Sequence, residues 1–420
     1  MLKRIGALVV TGGVLAVVIA STLGGTASAS AQNSPLCKKA GLGFAGPLTG
    51  GAGFLGTDQS NWVKLFIVDW NSNKAIPGVP ANLKRVKLNL AVLGDTQINP
   101  AIAPTIARQI VANKTIIGVI GLSGSNETLA AGPIFDKAQL GYVSGSATLN
   151  TIPTGTNTQK ALKNFYRVVP QNKQQARAGV EYIVKTLKLK KGQRVTIVDD
   201  GEAYGIGISD DATARFKAYG LKITRKSVKE TDQNPGGSVG FAADIAPVAA
   251  AAAIDGTKLV YAPTQDALDS QTFIQDLKTD GYTGGFMATD GSVSPTQFNT
   301  PGAYISFFGP SITKINASVR QEYLTLFGST SANDPFGAPS YVAAEMQAVA
   351  ISQACAAGLP TKLPKARAAV VNKLKKVSLP TTILGYSMAF NNKADAYHGP
   401  IAGVTVFKIK ANGSYKQVSP

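Results

Sequence analysis

Two loops in this chain are made almost wholly of glycine and hydroxyl residues, Ser123-Gly-Ser125 and Ser144-Gly-Ser-Ala-Thr148. Each follows an apolar run, and a helix-like stretch separates them. Ser and Thr hydroxyls, with backbone N–H groups at a helix N-terminus, suit a small anion, and the helix macrodipole adds to that preference. Three later strand-like runs end in different chemistry. Residues 194–200 lead into Glu202-Ala-Tyr204, residues 259–262 into Pro263-Thr-Gln265, and residues 285–288 into Thr289-Asp290. An aromatic hydroxyl, an amide and a carboxylate therefore stand at carboxyl ends of strands, where open parallel sheets hold their ligands. Any one of them alone reads as a solvated turn residue. Their recurrence points to a cleft in which hydroxyls from one side meet an acid and an aromatic from the other.

Groups for catalysis are scarce. The single histidine, His398, lies in a Tyr-His-Gly-Pro turn, and there are only two cysteines, so the usual zinc ligand sets are excluded. No G-x-S-x-G nucleophile motif or phosphate-binding P-loop occurs, and Gly205-Ile-Gly207 lacks the third glycine of a dinucleotide site. No cofactor and no metal is expected. A secreted enzyme working through Asp and Tyr is the less favoured rival.

The elements that must position these groups alternate. Strands are expected near 42–48, 86–94, 116–121, 141–144, 165–170, 194–200, 222–228, 259–262, 285–288, 304–308 and 405–409. Helices are expected near 58–70, 101–112, 174–187, 210–219, 241–252, 270–279 and 341–356. The spacing predicts an α/β fold of parallel sheets with right-handed crossovers and helices on both faces. So many strands in a mature chain of about 390 residues require two lobes. The expected boundaries are 36–168 with 309–386 for lobe one, and 169–308 with 387–420 for lobe two. Three crossings, near Val169, Phe308 and Ser387, would form the hinge. Residues 328–337 read as a polar loop.

At the N-terminus Lys3 and Arg4 precede an apolar run over residues 5–23, and small-x-small sites follow at Ala27-Ser-Ala29 and Ala29-Ser-Ala31. This is the pattern of a signal peptide, residues 1–31, and implies secretion across the cytoplasmic membrane to a periplasmic or envelope location. Leu36 beside Cys37, well past the apolar run, argues against a lipoprotein. Cys37 and Cys355 suit one disulfide in an oxidising compartment, two free buried thiols being the alternative. The formal net charge of +18 falls to +16 without Lys3 and Arg4. Lysines and arginines are spread along the chain, which favours peripheral attraction to an anionic envelope over nucleic-acid binding.

With these residues in view, positions 41–410 resemble the leucine/isoleucine/valine-type periplasmic binding proteins, the type I solute-binding subunits of ABC importers. The matching stretches are residues 44–56 with Gly-Pro-Leu-Thr-Gly, then 118–125, 144–148, 199–207 and 285–291. By that resemblance Ser125, Ala147 and Thr148 hold a ligand's α-carboxylate and share its ammonium. Tyr204 is the second-lobe aromatic, and Asp290 the acid, usually Glu, that pairs with the ammonium. Leu55 and Gln265 stand where some members place Trp and Tyr, which shifts side-chain specificity.

The resemblance implies a type I periplasmic-binding-protein fold, a monomer that binds a small amino acid or related amide and passes it to ABC permease subunits. Alternatives are a ligand-sensing subunit of a membrane receptor, or a binder of urea, amides or aromatic acids.

Overall fold

A computed structural model describes residues 34–228, 239–328, 336–391, 395 and 403–419, with backbone alone at 239–243. The signal-like segment and His398 lie outside the described residues. The first sheet holds β1 (Lys39–Gly46), β2 (Lys87–Asp95), β3 (Ile116–Gly121), β4 (Tyr142–Ser144) and β5 (Phe165–Arg167). Its order is β2-β1-β3-β4-β5 and every pairing is parallel. The second sheet holds β6 (Arg194–Asp199), β7 (Lys222–Ser227), β8 (Thr257–Ala262), β9 (Gly285–Ala288), β10 (Tyr304–Phe307), β13 (Thr405–Ile409) and β14 (Tyr415–Gln417). In the order β14-β13-β10-β9-β8-β6-β7 it is parallel from β7 to β10, while β13 and β14 pair antiparallel. The expected α/β architecture of two mainly parallel sheets is therefore present.

The helices follow from where apolar residues fall. α1 (Gly53–Asn71) buries Trp62, Leu65, Phe66 and Trp70 on one face. Trp62 stacks on Tyr323 of α8 (Ala317–Phe327), with ring centroids 4.3 Å apart. α9 (Ala338–Ala356) is apolar nearly all round because it packs against α1, α10 (Leu363–Leu374), β3 and β4. Its last turn carries Cys355, bonded to Cys37 with Cα atoms 5.6 Å apart, so the chain has no free cysteine. That bond is the one expected from the sequence.

Several expectations need correction. α1 begins at Gly53 rather than 58, and α5 (Ala203–Ala218) begins seven residues ahead of 210, which puts Tyr204 in a helical first turn instead of a strand-end loop. Gly205 and Gly207 hide that turn by their low helix propensity. They are there for close approach: a Cβ would strike Asp200 and the Pro263 carbonyl at Gly205, and Leu149 at Gly207. α8, α10, β14 and the small pair β11 (Ser378–Leu379) and β12 (Met388–Ala389) are additions to the expected elements. The chain does not leave the first core at Ser387. Met388 and Phe390 pack within that core, and Asp395 bridges to Arg167 of β5.

Candidate functional site

The carboxyl ends of the two sheets meet around one cavity. It is lined by Leu55, Ile98, Ser123, Gly124, Ser125, Ser146, Tyr204, Gln265, Asp290, Gly291 and Phe336. One bridge crosses beside it: Asn126 Nδ2, which also donates to Ile98 O at 2.9 Å, donates to Glu202 Oε2 at 3.1 Å.

The acid side is built around Asp290, which opens a short 3-10 turn after β9 and is 3% exposed. Its Oδ1 accepts from Tyr204 Oη at 2.6 Å and from Gln175 Nε2 at 2.6 Å. Gln175 comes from α4 (Asn172–Thr186) and also donates to Ser306 O at 3.0 Å, which fixes its amide. Burial pushes the Asp290 carboxyl up to about 6, and these donors hold it from rising further. Burial also drives the Tyr204 hydroxyl well above its usual range, reinforced by the neighbouring Asp290 charge, so Tyr204 stays a donor. An acid held this way is short of a counter-charge and suits a cation.

The hydroxyl side comes from the loops after β3 and β4. Ser123 Oγ donates to Gln59 Oε1 at 2.5 Å, Gln59 Nε2 to Ser146 Oγ at 2.9 Å, and Ser146 Oγ to Ser123 O at 2.8 Å. This ring spends the hydroxyl hydrogens of Ser123 and Ser146 within the protein. Ser125, first residue of α3 (Ser125–Lys137), accepts from Leu149 N at 3.2 Å. Glu127, fully buried in the same first turn, accepts the N–H groups of Ser123 and Gly124 at 2.6 and 2.8 Å. Burial raises its carboxyl to about 7 against those two bonds. The donors at this helix start are thus partly used by the protein's own capping acid, leaving Ser125 as the principal one.

Leu55, Ile98 and Phe336 supply the apolar wall. Ile98 sits at φ 53°, a left-handed conformation rare for a β-branched residue and of the kind that clusters at ligand sites.

Of the residues expected from sequence, Leu55, Ser125, Tyr204, Gln265 and Asp290 line the cavity together. Ala147 and Thr148 do not. Ala147 N donates to Ser144 Oγ at 2.9 Å and its carbonyl is held by Arg167 at 3.1 Å, while the Thr148 carbonyl caps Asn172 N at 2.9 Å. Ser146 of the same loop lines the cavity instead. Gln59, Gln175, Glu127, Ile98 and Phe336 were missed. The first two are single polar residues on otherwise buried helix faces, and Glu127 completes an x-x-x-Glu cap whose first position is Gly124. Phe336 belongs to the loop read as merely polar.

Residues 40–414 match the family described as periplasmic binding protein, and the chain belongs to that family. An amino acid binding protein of Pseudomonas aeruginosa is 25% identical over 291 residues, 69% of each chain. The Leu/Ile/Val-binding protein BraC3 of Rhizobium johnstonii is 28% identical over 204 residues, 48% of this chain and 50% of that protein. Among solved structures, a leucine-binding protein LivK of Thermotoga maritima aligns with TM-score 0.71 at 18% identity, covering 90% of this chain and 98% of its own. The branched-chain amino acid transporter substrate-binding protein LivJ of Streptococcus pneumoniae, solved with isoleucine, aligns at TM-score 0.69 and 16% identity, covering 91% and 100%. The resemblance seen in the sequence is borne out at the level of family and fold. The family is one of binding proteins, and among the described residues no helix is long and apolar enough to cross a membrane.

Proposed function

We propose that this protein is the extracytoplasmic solute-binding subunit of an ABC importer, and that its cavity holds a small amino acid, branched-chain-like, or a related amide. The observation that carries this reading is the opposed chemistry of the cavity walls. Asp290 with Tyr204 forms a cation site on one side, Ser125 at the start of α3 an anion site on the other, and Leu55, Ile98 and Phe336 an apolar wall between. An amino acid carries those three chemistries in that relation. The names of the related proteins point the same way. The site acts by binding, and no catalytic step is assigned to it.

The lobes are residues 36–168 with 309 to about 395, and 169–308 with the C-terminal strands. A ligand touching both favours the closed arrangement by its differential contacts, and a permease reads that difference. Gln265 closes the second-lobe wall. A thermal-shift screen of amino acids, amides and aromatic acids tests the reading. At about a hundred times its Kd, a true ligand adds about 2.7 kcal/mol of stability. The best ligand should carry both an amine and a carboxylate; one without an amine would overturn the assignment of Asp290.

A further inference from the structure

The end of the first sheet opposite the cavity carries a row of lysines. All five strands run parallel, so their N-terminal ends share one face, and each is entered by an exposed lysine: Lys39 at β1, Lys87 at β2, Lys114 before β3, Lys137 before β4 and Lys163 before β5. Lys39 and Lys87 are direct cross-strand partners. At about 4.8 Å between strands, the row is about 19 Å long. Exposed Lys375 and Lys376 follow α10, whose last residue, Leu374, packs near Gly141 at the entrance to β4.

Acids balance this face only in part: the Asp136 charge attracts Lys163. Both Asp136 oxygens are taken by the backbone N–H groups of Lys163 and Asn164. Asp69 is buried against Tyr341 and Lys74, and Glu322 pairs with Lys74. None of the five strand-entry lysines forms an ion pair among the described residues. Helix C-termini account for only part of the pattern. Lys137, in the last turn of α3, complements a macrodipole, but Lys39, Lys87 and Lys163 follow no α-helix. Like charges lined up about 5 Å apart repel one another, and an anionic surface relieves that repulsion.

We propose that this face docks on the headgroups of an anionic phospholipid bilayer. A row of exposed lysines without ion-pair partners among the described residues is complementary in charge to a layer of anionic headgroups. Docking there leaves the cavity, at the opposite end of the strands, open to solvent. This contact holds the protein near the membrane, whatever its ligand is.

The test is co-sedimentation with vesicles of phosphatidylglycerol and phosphatidylethanolamine, with phosphatidylcholine vesicles as the neutral control. Asn33–Pro420 forms a compact unit separate from Met1–Gln32, so the apolar segment is left off. Binding to the anionic vesicles alone is expected, falling at least about tenfold between 0.05 and about 0.5 M salt as the screening length shrinks. The combined variant Lys39→Glu, Lys87→Glu, Lys114→Glu, Lys375→Glu should lose binding by about tenfold or more. Lys188→Glu, Lys190→Glu, Lys191→Glu, Lys222→Glu changes net charge equally on the other sheet and should retain it. If the first variant is unstable, the same four positions changed to Gln give the same readout. Equal loss in both sets, no vesicle binding, or retention by an insoluble wall polymer alone overturns the proposal.

Discussion

Asp290→Asn should make the empty protein more stable and the ligand complex weaker. The carboxylate is 3% exposed and burial pushes it up to about 6, against 3.8 for an ordinary aspartate. At about 1.4 kcal/mol per factor of ten, keeping it ionised in the fold costs about 3 kcal/mol. Because the folded value is the higher one, this cost is absent below about pH 4, grows as the pH rises, and is complete above about pH 6 to 7. Asn keeps an oxygen that accepts from Tyr204 and Gln175 and removes the charge. Chemical denaturation of the ligand-free variant should therefore give a gain of up to about 3 kcal/mol at pH 7.5 and almost none near pH 4. Calorimetry with an amino acid ligand should give the opposite sign, a loss of at least a hundredfold, or about 2.7 kcal/mol, because the ammonium loses its buried partner. A variant that binds as tightly as the parent, or is less stable at pH 7.5, would refute the reasoning.

The same logic applies to Glu127, raised to about 7 by burial. Glu127→Gln should gain about 3 kcal/mol at pH 8.5, little near pH 4.5, and differ between those limits as the acid titrates, as read by urea denaturation. Replacing Cys37 and Cys355 by Ser opens a loop of 318 residues; the chain-entropy treatment sets an upper value of about 6 kcal/mol, and thermal melts should fall accordingly. Arg167, fully buried, bonds Asp395 Oδ1 at 2.6 Å and the Leu149 carbonyl at 2.8 Å, tying the Ser146 loop to the C-terminal segment. Asp395→Ala should cost about 3–5 kcal/mol by leaving a buried guanidinium uncompensated, measured by denaturant unfolding.

Much of this was legible in the sequence. Strong β-branched runs such as residues 116–121 identify buried parallel strands, and alternation with helices sets the two-sheet plan. Asp290, Tyr204 and Gln265 stood out because each follows such a strand. The misses have physical causes. Gln59 and Gln175 act from helix faces that otherwise look like core, and which polar side chain turns into a cavity depends on the partner lobe. Thr148 and Ser146 sit two residues apart in one loop; the backbone bond from Asn172 to Thr148 turns that end of the loop toward α4. Met388 and Phe390, beside the expected crossing at Ser387, are buried in the first core, a packing that the alternation of strands and helices does not reveal.

The most direct test of the central claim is an experimental structure with the best amino acid ligand bound. The account predicts the ligand in the cavity between the sheets, its ammonium within hydrogen-bond distance of Asp290, its carboxylate at Ser125 and its side chain against Leu55, Ile98 and Phe336. A ligand seated elsewhere, as in the surface pocket beside Phe407 and Tyr415, or one with its ammonium away from Asp290, would contradict it.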